Sequence, residues 1–452
     1  MTEQTYFKDE MKEDFILSGD PEASGLLDGH DLHGALAALQ KKHAVSEAAA
    51  GPYAPATLIL LHDVGMCRLV LGDQAGAAEC LAGALEGLEA VLGPDSPEAL
   101  SVADALGETE ASRGNFARSR ELHAKALAGR ERLFGPSSFK TVTSRINLAL
   151  SCGALGLLEE EAELYRASHA ASLETLGRIH PRTLKCRVRL GESLAASGNL
   201  RGAREELEGA WELHREALGP GSQGTFDAGD ALAKVLTAMG DHGAACGVIS
   251  AALAGAEEMY GELHPFTFMY RTHYGIALAA AGKLEEAEAE LTKAVDGSVK
   301  VMGAAHTGTV NSIMNLLRVK RLRDGPGPVR GLYEELSRLL DEEVGPDSDV
   351  AVHAAGDLGK ILAELGENER AAELFRRVIS HSERTLGPAH EKTLLFLRYL
   401  RAVLVSMGDY LGESEVFMRV LNAVAARQGL VCQDPGEYGE GPDGGMDHGP
   451  SE

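Results

Sequence analysis

The sequence predicts an all-α solenoid of about nine antiparallel helix hairpins. Glycine recurs every 42 residues, a second glycine series lies half a period later, and apolar residues between the two are spaced by three and four. The first series has ten members, from Gly51 to Gly429, without an insertion or deletion. A fixed period of this length is the signature of stacked supersecondary units.

Each period contains two predicted helix ends. Glycine just past a helix end adopts a positive φ without steric penalty, so two such stops per period indicate a helix–turn–helix unit. The second series is broken only at Asp324, where Gly325-Pro326-Gly327-Pro328 follows. We expect a local kink there, and a hinge is the functional alternative. The second series comprises Gly72, Gly114, Gly156, Gly198, Gly240, Gly282, Gly366 and Gly408.

Helix starts alternate with these stops. A serine or a histidine stands three residues after most glycines of the first series, and Pro97, Pro181 and Pro265 follow three of them directly. Serine as N-cap with proline at the first helical position marks a helix N-terminus. Histidines at the same position are therefore predicted caps and not metal ligands. The residues concerned are Ser96, Ser138, Ser222, Ser348, His180, His264, His306 and His390.

The apolar columns resemble one repeat family. The first helix carries a leucine followed by a small residue, as in Leu148-Ala149, and the second carries alanine, a large residue and alanine, as in Ala77, Leu81 and Ala84. With the mid-repeat glycine, this pattern resembles the tetratricopeptide repeat over roughly residues 32–428. The 42-residue period and linkers such as Leu92-Gly93-Pro94-Asp95-Ser96-Pro97 look like the kinesin-light-chain subtype.

The resemblance implies a right-handed superhelical solenoid that binds proteins, without catalytic residues, metal or cofactor. We expect a partly disordered N-terminal cap at 1–31, the solenoid at 32–428 and a disordered acidic tail at 429–452. The hairpins are predicted at 55–92, 97–134, 139–176, 181–218, 223–260, 265–302, 307–344, 349–386 and 391–428.

Composition narrows the function further. The net charge of −25 argues against binding to nucleic acid or an anionic membrane, since both need clustered bases. Six cysteines form no disulfide framework, and no stretch approaches the ~20 apolar residues of a membrane span. These features predict a cytoplasmic protein. The sequence has no phosphate loop, dinucleotide fingerprint, zinc-protease motif or hydrolase motif.

The first helix of each hairpin is predicted to line an inner groove. Its aligned positions carry two acids and no base in hairpins one to three, but five bases against three acids in hairpins four to eight. That reversal favours an acidic peptide, with asparagines hydrogen-bonding its backbone. Asn147 and Asn315 match the family's inner-face asparagines, which the resemblance implies contact peptides. The predicted groove residues are Asn147, Lys185, Arg189, Lys234, His273, Asn311, Asn315, Arg318 and Lys360.

Several alternatives remain open. The groove residues also fit an ordinary solvated surface. A chaperone-type carboxylate clamp would use Asn147, Lys185 and Arg189, but Ser101 and Ala105 stand where it needs lysine and asparagine. The protein could instead be a regulatory sensor whose acidic tail occupies its own groove. The last alternative is an enzyme with an unrecognised pocket.

Overall fold

The computed structural model describes residues 17–29 and 31–427, and within these ranges the chain forms 20 helices and no strand. The predicted all-α repeat solenoid is confirmed. Two compact units divide between Gly261 and Glu262. The residues at 1–16, 30 and 428–452 lie outside the described part, and they include the whole predicted tail and part of the predicted N-terminal cap.

The first unit contains twelve helices. They are α1 (Pro21–Asp28), α2 (Leu32–Ala50), α3 (Pro55–Val70), α4 (Gln74–Leu92), α5 (Pro97–Ser112), α6 (Phe116–Phe134), α7 (Phe139–Ala154), α8 (Leu158–Leu176), α9 (Pro181–Ala196), α10 (Leu200–Leu218), α11 (Gln223–Ala238) and α12 (His242–Tyr260). From α3 onward they pair as hairpins, each with a shorter first helix and a longer second helix.

The second unit contains eight helices in four hairpins. They are α13 (Pro265–Ala280), α14 (Leu284–Met302), α15 (Thr307–Asp324), α16 (Pro326–Glu343), α17 (Asp349–Glu364), α18 (Asn368–Leu386), α19 (Glu391–Met407) and α20 (Tyr410–Arg427).

The predicted N-caps are confirmed at both residue types. The hydroxyl of Ser138 accepts a hydrogen bond from the backbone N–H of Thr141 at 3.2 Å, and the other three serines do the same at 3.2–3.4 Å. Nδ1 of His180 accepts from the N–H of Arg182 at 3.2 Å, and the other three histidines cap equivalently at 3.1–3.2 Å. The histidine ring therefore replaces the serine hydroxyl as the acceptor for an otherwise unpaired helical N–H.

The glycine at each hairpin end is required by its backbone conformation. Gly93 ends α4 with φ 92° and ψ 156°. This combination of positive φ and extended ψ is open almost only to glycine, because a Cβ atom would clash with the backbone. The linker can therefore reverse the chain between two hairpins within a few residues.

In each of two hairpins, a small residue of the first helix packs against a large residue of the second helix. In the first unit Leu81 is fully buried, and a Cβ added at Gly65 would lie 2.9 Å from its Cγ. In the second unit Phe375 packs against Gly359, where an added Cβ would lie 2.7 Å from Cε1 of the ring. Close approach of the paired helices thus depends on the absence of a side chain in the small column.

The seventh hairpin has a different turn. Gly325 alone separates α15 from α16, whereas three residues separate α13 from α14. α15 is extended to 18 residues, two more than α13, and Gly325 takes the positive φ of 84° one position later than the repeat predicts. The irregularity predicted at Asp324 is therefore a longer helix with a one-residue turn. The hinge remains a prediction.

The described N-terminal segment packs on the first hairpin. Asp63 is fully buried, and its carboxylate accepts hydrogen bonds from the backbone N–H groups of Leu17 at 2.8 Å and Ser18 at 3.0 Å. Nδ1 of His62 lies 2.9 Å from the same carboxylate. Asp63 is one of the two acids counted on the inner positions of hairpins one to three, and the preceding segment covers it.

Candidate functional site

A cleft of about 310 Å³ opens on the first helices of the first unit. α5, α7 and α9 supply most of its lining, and Met66 of α3 contributes at one end. Sixteen residues line it, namely Met66, Ser101, Asp104, Ala105, Glu108, Arg130, Phe139, Thr143, Ile146, Asn147, Leu150, Tyr165, Arg182, Lys185, Cys186 and Arg189. Three of the predicted groove residues, Asn147, Lys185 and Arg189, thus lie around one cavity.

The cleft has a substantial apolar lining. Tyr165 of α8 is 1% exposed, and burial raises the pKa of its hydroxyl well above the usual value. Met66 is nearly buried, whereas Leu150 keeps 52% of its surface exposed. An exposed leucine beside buried apolar groups offers surface that a ligand side chain can cover.

Three bases of α9 face the cleft. Arg182, Lys185 and Arg189 are separated by three and four residues, which places them on one side of the helix. The Arg182 guanidinium lies 3.5 Å from the centroid of the Phe139 ring and donates to the Phe139 carbonyl at 3.2 Å. Arg189 pairs with Glu192 at 3.0 Å on the same helix, and both side chains remain partly exposed. The row is therefore anchored at Arg182 and more accessible towards Arg189.

A buried ion pair supports the cleft from below. Arg130 of α6 is 2% exposed and lies 2.6 Å from Asp104 of α5. Asp104 also accepts from Ser144 of α7 at 2.5 Å and lies 2.8 Å from Nδ1 of His123. Arg130 in turn donates to Ser101 at 3.2 Å. One polar network thus joins α5, α6 and α7 and fixes the floor between the inner helices.

The lining of the cleft carries excess positive charge. Asp104 and Arg130 neutralise each other, which leaves Glu108 as the acid opposing the three bases of α9. Glu108 also accepts a hydrogen bond from Nδ2 of Asn147 at 2.9 Å. In a chain of net charge −25, this is a local reversal of sign that favours an anionic ligand.

The predicted groove bases of the second unit form a compact cluster around one acid. Asp357 of α17 is 4% exposed; Arg318 of α15 approaches it at 2.7 Å and Lys360 at 3.0 Å. Burial opposes ionisation of the carboxylate, but the two bases prevail and hold the pKa of Asp357 below its usual value. One of the two base charges is therefore neutralised internally by Asp357, which is among the three acids counted in hairpins four to eight.

The other predicted groove residues differ in availability. Lys234 is highly exposed, pairs with Asp230 at 2.7 Å and does not line the cleft. His273 is half-buried on α13. Nδ2 of Asn315 donates to the Asn311 carbonyl at 2.9 Å, so this amide is used within α15 and not presented to a peptide backbone.

The sequence reasoning omitted two bases that the structure places beside these sites. Arg182 lines the first-unit cleft, and Lys392 occupies the equivalent position five 42-residue repeats later. Both lie about one helical turn before an inner position that the repeat aligns. The spacing of three residues between Arg182 and Lys185 already indicated that the two share one side of the helix. Phe139 and Tyr165 were missed because neither occupies one of the inner positions aligned between the first helices.

Other classes of site are not seen in the described residues. Within 17–29 and 31–427, no group of three or more histidine, cysteine, aspartate or glutamate side chains is placed to hold a metal ion. Over the same ranges, no helix combines the length and apolar character needed to cross a bilayer.

Several solved structures are similar to this chain. The putative kinesin light chain repeats of Podosopora anserina are 21% identical and cover 46% of this chain and 98% of their own, with a TM-score of 0.42. The quorum sensor NprR from B. thuringiensis is 12% identical and covers 83% and 99%, with a TM-score of 0.45. Aspartyl phosphate phosphatase F from Bacillus subtilis is 13% identical and covers 83% and 94%, also at 0.45. No curated protein sequence matches the chain.

The repeat family itself is matched in three segments. Residues 98–174, 183–223 and 352–391 match the tetratricopeptide repeat. These segments fall on helix hairpins of both units, within an array that keeps its 42-residue period throughout. About a third of the chain therefore matches the tetratricopeptide-repeat family.

Proposed function

We propose that this protein is a non-catalytic interaction scaffold that binds an acidic peptide segment of a partner protein in the first-unit cleft. The observation that carries the proposal is the row of Arg182, Lys185 and Arg189, which lies beside apolar lining residues and opposite one acid of the lining, Glu108. Carboxylates of a peptide would pair with the bases, and an apolar side chain would cover Leu150 and Met66.

The cleft is suited to an extended segment more than to a rigid small molecule. It is assembled from successive inner helices of a repeat array, which present similar positions at regular intervals. Asn147 stands in the middle of this surface and pairs with Glu108, so a peptide carbonyl can compete for its amide hydrogens. Binding energy would be spread over several hairpins.

The test compares two charge reversals in the full chain. The cleft variant is Lys185→Glu with Arg189→Glu, and the matched control is Arg118→Glu with Lys125→Glu on α6, which changes the charge equally outside the cleft. Circular dichroism first confirms that both variants are helical. A displayed library of random 12-residue peptides is then selected for binding to the wild type and to each variant. The wild type should enrich peptides that contain several Asp or Glu residues.

The selected peptides are then measured by fluorescence anisotropy. We expect the cleft variant to bind them at least tenfold more weakly, about 1.4 kcal/mol, and the control to stay within about threefold. Raising the salt concentration should weaken wild-type binding, since the pairs at the rim are screened. Enrichment without acidic residues, or an equal loss in both variants, would overturn the proposal.

A further inference from the structure

The second unit carries a separate basic cluster on its own inner helices. Arg318 lies on α15, His353 and Lys360 lie on α17, and Lys392 lies on α19. Nη2 of Arg318 is 3.4 Å from Nε2 of His353, and all four side chains retain solvent exposure. The buried Asp357 lies beneath them.

Asp357 pre-orients two of the bases. Its Oδ2 accepts from Nε of Arg318 at 2.9 Å and lies 2.7 Å from Nη2, while its Oδ1 accepts from Lys360 at 3.0 Å. The Arg318 side chain nevertheless remains 39% exposed and that of Lys360 25%. A guanidinium fixed on one edge by a buried carboxylate presents its other N–H groups to solvent with little loss of side-chain entropy.

An aromatic wall borders the cluster. The Lys360 ammonium lies 5.4 Å from the ring centroids of both Phe396 and Tyr399 on α19. Lys392 precedes these rings by four and seven residues, and therefore lies on the same side of α19. Phe396 is buried and Tyr399 is half-buried, and their rings meet edge-on at 63°, so they close the cluster on one side.

We propose that this cluster is a binding site for a phosphate monoester. Arg318, Lys360 and Lys392 all act on His353, and Asp357 pairs with the first two, so two positive charges remain after internal compensation. A phosphate monoester carries about −1.5 to −2 charges at neutral pH and offers three acceptor oxygens, whereas a single carboxylate carries one charge. Arginine with two lysines from three successive inner helices supplies donors around such a group.

His353 reports on the occupant. Partial desolvation of the imidazole lowers its pKa, Lys392, Arg318 and Lys360 lower it further, and Asp357 opposes them. A bound dianion next to the ring acts in the opposite direction and raises the pKa of His353. Binding is therefore coupled to proton uptake between the free and bound pKa values.

The experiment titrates the full-length protein with phenyl phosphate and with benzoate. The two probes share the ring and differ in the charge of the anionic group. Imidazole resonances are followed by NMR, and His353 is assigned by comparison with His353→Gln. We expect phenyl phosphate to shift the His353 signal and raise its pKa at concentrations at least tenfold below those needed for benzoate. Equal affinities, or no shift with phenyl phosphate, would refute the proposal.

Variants separate binding from folding. Lys392→Met should weaken phenyl phosphate binding at least threefold, while the control Lys293→Met, an exposed base on α14, should leave it unchanged. Because Arg318→Met alone strands a buried acid, Asp357→Asn is combined with it, and this pair should lose at least tenfold in affinity with unchanged helicity. Retained affinity in the helical double variant would contradict the site.

Further experiments identify the kind of molecule that carries the phosphate group and distinguish this site from the first-unit cleft. Tighter binding of a phosphotyrosine peptide than of inorganic phosphate would support the site with a phosphoprotein as its source, and equal binding would support it with a small phosphorylated molecule. The first-unit variant Lys185→Glu with Arg189→Glu should bind phenyl phosphate as the wild type does. Loss of binding in that variant would instead assign the phosphate effect to the first unit and refute a second site.

Discussion

Breaking the buried Asp104–Arg130 pair should open the second and third hairpins locally. The side chains are 9% and 2% exposed, so Arg130→Met leaves a buried carboxylate that retains only His123 and Ser144. Removing one partner of such a pair costs about 3–5 kcal/mol. Since tenfold in an equilibrium is about 1.4 kcal/mol, the opening constant should rise by roughly two to nearly four powers of ten.

Amide hydrogen exchange measured by mass spectrometry resolves this effect along the chain. In a repeat array each unit contacts its neighbours only, so acceleration should concentrate in residues 97–154 and be small in residues 349–386. Arg132→Met is the matched control, because Arg132 pairs with Asp95 while both are more than half exposed. An exposed pair contributes about 0–1 kcal/mol, so its exchange should rise less than roughly fivefold. Equal exchange in the two variants would refute the reasoning.

Three further predictions concern backbone, pH and thiols. Gly93→Ala should destabilise the folded chain by about 1–3 kcal/mol because of the positive φ at this position. Gly83→Ala on the exposed face of α4 should stabilise it by about 0.5–1 kcal/mol, and thermal melts that rank the two variants oppositely would contradict this. The lowered pKa of Asp357 gives stabilisation that is complete above pH 3.8 and is lost as the pH falls through that lowered value. In Asp357→Asn the melting temperature should therefore fall less steeply as the pH is lowered below 3.8. The same steepness as in the wild type would count against the ion cluster. Burial raises the pKa of Cys186 to about 11, so iodoacetamide at pH 8 should modify the half-exposed Cys246 first, as followed by peptide mass spectrometry.

The sequence was sufficient for the fold because its signals are local and repeated. Glycine at each stop and serine or histidine at each start act through the backbone of their own turn, and the structure places both as the pattern predicts. Because nine units carry the same pattern, a departure in one unit did not obscure the repeat. The exception at Asp324 was visible as a missing glycine, but the two additional helical residues were not, since they depend on Gly325 ending the helix one residue later.

The site was less predictable because alignment gives the side of a helix and not the surroundings of a side chain. Asn147, Lys185 and Arg189 were predicted from their helix positions, and they line one cleft. The pairing of Arg318 with Asp357 could have been proposed from neighbouring columns, but the burial of that acid could not. Arg130 could not be predicted from the first-helix positions, since it enters the cleft from the second helix of its hairpin.

Acids of the inner columns show why net charge along a groove has to be counted on the structure. Asp63 and Asp357 are both among the acids that the sequence places on the inner side, and both are almost completely buried. The carboxylate of Asp63 is stabilised by hydrogen bonds from backbone N–H groups, and that of Asp357 is paired with two bases that it also orients. A buried acid of this kind does not repel an anionic ligand as an exposed one would, because its charge is already matched by fixed donors. The two proposed sites therefore differ chiefly in how their bases are held. In the first unit, aromatic contact and intrahelical pairing hold them, whereas in the second a buried carboxylate does.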